Sequence, residues 1–249
     1  QDERINLSNE KDFLEYKKLL SEHLSLYFNK FGYDFTNRLL NMQEDRLVHL
    51  HVSNPDSRTE SIFEKINSKF PGRVGFGITP DPPYVSATYF TCERFFVAER
   101  LINELGCPIV TLDIDVTPAK KAPDFHTFAG KYDFSCYETG RNEPASVCQA
   151  SVMAWGTGDG AQKFARAIQA FCLSGLLENS TVASWMLDQA AIFSVRNYFR
   201  KMRPTEVSFA DMRQQGSSVG ESLHTFASDQ DKKNLKSQTM NAEPRQINI

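Results

Sequence analysis

The residues best placed to do chemistry are Asp113 and Asp115. They close the apolar, β-branched run Pro108-Ile109-Val110-Thr111-Leu112. A strand ending in two carboxylates one residue apart delivers anionic oxygens to the rim of a sheet. Hard divalent cations take oxygen ligands, and Mg²⁺ or Mn²⁺ commonly binds one or two carboxylates together with substrate phosphate oxygens. The plainer alternative is that the pair caps the following turn. Two acids at the end of a buried strand are costly unless paired or metallated, so the chemistry to test first is a cation held against a phosphate.

The elements that must position this pair follow from periodicity. Val48, Leu50 and Val52 alternate with His49 and His51, which predicts a half-buried strand with the two histidines on its other face in a structural role. Ser53-Asn54-Pro55-Asp56 is a turn cluster, and a helix with Ile62, Phe63 and Ile66 follows. Arg73 to Ile78 reads as a second strand, and the prolines of Thr79-Pro80-Asp81-Pro82-Pro83 force a loop. Tyr84 and Tyr89 beside that loop suit packing better than stacking on a base. Phe95, Ala98, Ile102 and Leu105 mark a helix that Gly106 stops. Strand and helix alternate up to the Asp113/Asp115 strand, which predicts a parallel sheet covered by helices. In such sheets ligands bind beyond the carboxyl ends of the strands.

The second half is mixed. Tyr132 to Tyr137, Val147 to Trp155 and Val207 to Phe209 read as strands. Gly156-Thr157-Gly158-Asp159-Gly160 reads as a turn, since no Gly-Lys-Ser/Thr follows to make a phosphate loop. One helix then buries Phe164, Ile168, Phe171 and Cys172; another opens at Trp185-Met186-Leu187-Asp188-Gln189 and buries Ala191, Ile192, Val195 and Phe199. Asp188 also suits the N-cap of that helix. At the start, Phe13, Tyr16, Leu20, Leu24, Tyr27, Phe28 and Phe31 form one helical stripe, either the end of an upstream helical domain or a cover on the main one. The expected organisation is an N-terminal helical segment over residues 1–42, an α/β domain over 43–227 and a polar tail over 228–249.

Composition narrows the function. The 249 residues carry 28 basic and 31 acidic side chains, a net charge of −3 that argues against nucleic acid as partner. No apolar run reaches the ~18 residues a membrane span needs. Five cysteines without a Cys-x-x-Cys pair suit reduced thiols in the cytoplasm.

Together these segments resemble nucleotide-sugar glycosyltransferases of the GT-A fold, over roughly Arg46 to Phe209. The likeness lies in Leu47 to Asp56 as first strand and nucleotide loop, Tyr89 to Phe95 opening a helix, Ile109 to Asp115 as the Asp-x-Asp strand, and Trp185 to Gln189 as a late Asp-Gln element. It is nearest to bacterial glycosyltransferase-like domains that follow helical repeats, and more distant to glycosyltransferase family eight. The resemblance implies a Rossmann-like, mostly parallel sheet flanked by helices. It implies that Asp113 and Asp115 hold Mn²⁺ or Mg²⁺ against the diphosphate of a nucleotide diphosphate sugar, with His224 in the place of a late histidine ligand. Asn54 would sit near the base or ribose, Arg94 would reach the diphosphate or anchor its helix to the sheet, and Asp188 and Gln189 would face the sugar and its acceptor (a glycan, lipid or protein). His224 lacks the flanking Gly and Lys-Pro pattern, and Ala150-Ser151 stands where an Asn-x-Gly motif is expected.

Two other readings compete. One is a glycosyltransferase-like module that binds without turnover. The other is a haloacid-dehalogenase-type phosphatase, whose first motif Asp113-Ile114-Asp115-Val116-Thr117 resembles, with Asp113 as nucleophile. Against the latter, two strand–helix units precede the motif, and Gly158-Asp159 has no second acid soon after.

Overall fold

The computed structural model describes residues 26–80, 87–120, 122–141, 143–178, 186–215 and 219–225, with the isolated residues 5, 6, 11, 14, 230, 247 and 248. The chain divides into two compact units, Gln1–Ala87 with Ile114–Thr117 and Thr225–Ile249, and Thr88–Asp113 with Pro118–His224.

In the first unit, helix α1 (Leu26–Met42) buries Phe28, Phe31, Phe35 and Leu40, an apolar face that continues beyond Phe31. Phe13, Tyr16, Leu20 and Leu24 lie outside the described residues. Strand β1 (Val48–Ser53) buries Val48, Leu50 and Val52, as its alternation requires. Helix α2 (Ser57–Lys69) starts at a capping box. Thr59 N donates to Asp56 Oδ1 at 2.8 Å, and Asp56 N donates to Thr59 Oγ1 at 3.2 Å. Asn29 of α1 donates to both oxygens of Asp56 at 3.1 Å, so the cap also pins α1 to α2. Strand β2 (Val74–Thr79) pairs parallel with β1, from Val48↔Val74 to Ser53↔Thr79. Arg73 closes the turn before β2 by donating to the carbonyls of Leu40, Gln43 and Arg46 at 3.3, 2.6 and 3.0 Å. This strand–helix–strand segment is the one its sequence pattern predicts.

The second unit holds helix α3 (Ala87–Leu105), strand β3 (Ile109–Leu112), helix α4 (Phe125–Lys131), strand β4 (Phe134–Glu138), strand β5 (Cys148–Trp155), helices α5 (Asp159–Glu178) and α6 (Leu187–Met202), and strand β6 (Phe209–Asp211). Gly106 follows α3 at φ +58°, a left-handed backbone that suits glycine at a helix end. Its N–H donates to the Ile102 carbonyl at 3.2 Å. The four-stranded sheet runs β3-β5-β4-β6. The expected parallel pairing of the Asp113/Asp115 strand is corrected here: β3 runs antiparallel to β5, from Ile109↔Trp155 to Leu112↔Val152. β4 is also antiparallel to β5, with a bulge after Cys136, and parallel to β6. β5 is buried at most positions and takes the inner place, whereas every residue of β3 is half-buried, as suits an edge. Composition carries no record of strand direction, so a four-residue apolar run could not reveal it.

The core of this unit gathers Phe95, Ala98 and Ile102 of α3, Phe134 of β4, Met153 and Trp155 of β5, Phe164 and Ile168 of α5, and Ile192 and Phe199 of α6. The Phe134 ring meets Trp155 and Phe164 at centroid distances of 4.6 Å. Burying each such side chain stabilises the fold by about 1.5–3 kcal/mol. Two residues expected inside are exposed, Leu105 at 56% and Phe171 at 37%. Leu105 is the last residue of α3. The buried stripe of α5 runs through Ala161, Ala165, Ile168, Cys172 and Leu176, which leaves Phe171 at its margin. Asp81 to Tyr84, Trp185 and nearly all of the polar tail lie outside the described residues, while Tyr89 is buried in α3.

Candidate functional site

In the second unit, the helix that buries Phe95 and Ala98 carries Arg94 beside them. Arg94 Nε donates to the Thr91 carbonyl at 2.8 Å, and Nη1 donates to the Ala150 carbonyl of β5 at 2.9 Å. The same Nη1 pairs with Asp113 Oδ1. Asp113 follows β3 directly, and its N–H donates to the Ser151 carbonyl at 3.0 Å, extending the β3–β5 ladder by one residue. That bond fixes the carboxylate at the end of an edge strand, where both partners keep some exposure, 23% for Arg94 and 32% for Asp113. Asp113 Oδ2 has no hydrogen bond among the described residues.

Asp188 lies within electrostatic reach of this pair. It is the second residue of α6 rather than its N-cap, which is Met186, and it is buried. Its Oδ1 accepts the Gln189 N–H at 2.8 Å. Burial pushes the Asp188 carboxyl above the usual carboxylate range, the Arg94 charge pulls it down, and the Asp113 charge adds to the rise. Burial opposes the charge on Arg94 in turn, but Asp113 and then Asp188 outweigh it and hold the guanidinium more firmly protonated. Gln189 is half-buried, with Nε2 3.1 Å from Met186 Sδ.

The other sequence candidates stand as follows. Asp115 is buried, two residues beyond Asp113. Asn54 is buried after β1 at φ +51°, a left-handed backbone that asparagine tolerates. Its N–H donates to the Thr79 carbonyl at 2.7 Å. His224 is exposed in the short strand Leu223–Thr225. Among the described residues no group of three or more His, Cys, Asp and Glu side chains is arranged to hold a metal ion. The geometry therefore pairs Arg94 with Asp113, sets Asp188 within electrostatic reach of both, and among the described residues does not bring His224 into a ligand cluster.

No family model matches this chain, and no curated protein matches it. A cation, a half-buried carboxylate with one oxygen to spare, and a buried carboxyl whose pKa is raised can together bind an anionic ligand and orient its hydroxyls. Perturbed acids of this kind gather at working sites more often than elsewhere.

Sequence reasoning missed two features. The backbone of Ala150-Ser151, noted only for lacking an expected motif, supplies the carbonyls that hold Arg94 and Asp113. On α6, Arg196 is buried within the stripe of Ile192, Val195 and Phe199, with Nη1 2.5 Å from Glu138 Oε1; Arg200 Nη2 lies 3.3 Å from the same oxygen. An arginine inside an apolar stripe signals a buried acid partner, and that signal was there to read. All five cysteines are free thiols. A hydrogen bond with Cys148, then burial, pushes the Cys136 thiol up.

Proposed function

We propose that the chain is a metal-dependent glycosyltransferase that moves a sugar from a nucleotide diphosphate sugar to a glycan, lipid or protein acceptor. The observation that carries the reading is the Arg94–Asp113 pair at the end of β3, with Asp188 close enough for its charge to act on Arg94 and to be acted on by Asp113. A cation and two carboxylates suit a charged diphosphate joined to a polyhydroxylated sugar. The donor set suits a hard metal, since Asp113 keeps Oδ2 beyond the oxygen that Arg94 holds and Asp115 follows two residues on. Mn²⁺ or Mg²⁺ held by Asp113 and Asp115 would supply Lewis-acid neutralisation of the leaving diphosphate. Arg94 presents a planar fork of donors, which matches phosphate oxygens. Asp188 takes a hydrogen bond from a sugar hydroxyl, and Gln189 offers its amide beside the anomeric carbon. A reducing compartment such as the cytoplasm suits the free thiols.

Asp113 tied to Arg94 favours a second reading, a related module that binds nucleotide without turnover, because a carboxylate already paired has less to offer a cation. Thermal melting with Mn²⁺ and UDP or GDP tests the first reading. Nucleotide with metal raises the melting temperature, and Asp115→Asn abolishes the rise. No rise with any nucleoside diphosphate would remove the reading. Binding without transfer or hydrolysis across a broad acceptor panel would favour the module. Hydrolysis of p-nitrophenyl phosphate, lost in Asp113→Asn, would point instead to a phosphatase.

A further inference from the structure

The histidines of β1 form a second arrangement, wholly within the first unit. Side chains two apart on a strand share a face, and His49 and His51 take the face opposite buried Val48, Leu50 and Val52. Their rings stack with centroids 6.2 Å apart and planes 21° apart. The parallel register sets Gly75 beside His49 and Gly77 beside His51, so β2 puts no side chain beneath either ring. At Gly77 the two rings converge. The point where a Cβ would stand lies 2.7 Å from His51 Nδ1 and 2.9 Å from His49 Nε2. His51 Nε2 is 3.0 Å from Thr79 Oγ1, two residues along β2, which orients the ring with Nδ1 toward that point.

We infer that His49 and His51 form a two-imidazole site for a borderline transition cation such as Zn²⁺, Ni²⁺, Co²⁺ or Cu²⁺, seated over Gly77, with water in the remaining positions. Imidazole nitrogen suits these ions, whereas Mg²⁺ and Mn²⁺ favour oxygen. The period of the strand aims two such nitrogens at one space, and glycine at position 77 keeps a methyl out of it. The Thr79 contact has the form in which a partner on the second ring nitrogen fixes the tautomer and orientation of a ligating histidine. The site is built from residues of the first unit alone and does not rest on the glycosyltransferase reading.

Calorimetric titration of the full chain with ZnCl₂ tests it, with electron paramagnetic resonance of the Cu²⁺ form to show nitrogen ligands. The wild type takes up a cation that His49→Ala does not, and the Cu²⁺ spectrum shows imidazole nitrogen that His49→Ala loses. Gly77→Ala sets a methyl where the cation sits and abolishes uptake with both histidines still present. Thr79→Val weakens binding by about tenfold. Circular dichroism confirms that each variant is folded, and exposed His49 can be replaced without opening the core. Absence of Zn²⁺ uptake by the wild type would overturn the proposal. So would uptake unchanged in both His49→Ala and Gly77→Ala.

Discussion

Asp188 is expensive where it stands. Its folded-state pKa lies above the unfolded reference of 3.8, chiefly through burial. A carboxyl raised in this way favours the folded state most below the unfolded value, and that contribution is lost as pH rises through the folded value. At neutral pH the ionised side chain therefore costs stability. Asp188→Asn keeps an oxygen for the Gln189 N–H and removes the charge. It raises the melting temperature at neutral pH, and the gap over wild type closes as pH falls below about 3.8. A melting temperature lowered at neutral pH and unaffected by pH would contradict this account of the residue. Arg94 is the opposite case. Arg94→Gln leaves Asp113 without its cation, and urea unfolding shows a loss of roughly 1–3 kcal/mol. Residue types at Asp113, Asp188 and Arg94 were legible because acids and arginines beside apolar runs demand partners. The direct pairing of Arg94 with Asp113 was not, since it depends on how α3 packs on the sheet.

At the scale of elements, local chemistry was the most readable. The turn cluster ending at Asp56 with a helix after it was legible, and the structure adds what was not read there, a capping box between Asp56 and Thr59. Burial pushes the Asp56 carboxyl up, but hydrogen bonds from Thr59 and Asn29 outweigh it and hold it below its ordinary value. The stability it contributes is present above the unfolded value of 3.8 and is lost as pH falls through the folded one. Asp56→Ala accordingly costs about 1 kcal/mol at neutral pH, and urea titrations in acid show the difference shrinking. The glycine-rich segment reads as a turn; residues 156–158 do precede α5, while Asp159 and Gly160 open it. The reason for glycine at position 160 was hidden, because it lies in distant neighbours. A Cβ on Gly160 would stand 2.4 Å from Asp133 Oδ2 and 2.7 Å from the Glu206 carbonyl. Asp133 Oδ2 cannot swing away freely, since it accepts from Ser208 N at 2.8 Å and Ser208 Oγ at 2.7 Å. Gly160→Ala is predicted to destabilise by roughly 1–3 kcal/mol, measured as a shift in urea midpoint. The direction of β3 was the clear failure at this scale. Alternating strands and helices argued for a parallel neighbour, but the longer, more buried β5 takes β3 as an antiparallel partner.

For the whole molecule, the α/β class was legible from alternating periodicities, while the division into two compact units was not. Segments 114–117 and 225–249 join the first unit from far along the chain, and contacts of that kind leave no local mark in sequence. Among the described residues no helix is long and apolar enough to cross a membrane, in keeping with the absence of a long apolar run. The proposed transfer depends on the Arg94–Asp113 pair at the end of β3 being a place where a metal-bound diphosphate docks. Calorimetric titration of the chain with UDP and GDP, with and without Mn²⁺, tests this most directly. Saturable binding that requires Mn²⁺, and that Asp113→Asn eliminates while circular dichroism stays unchanged, is the predicted result. Heats indistinguishable from dilution for both nucleotides, or binding indifferent to both Mn²⁺ and Asp113, would contradict it.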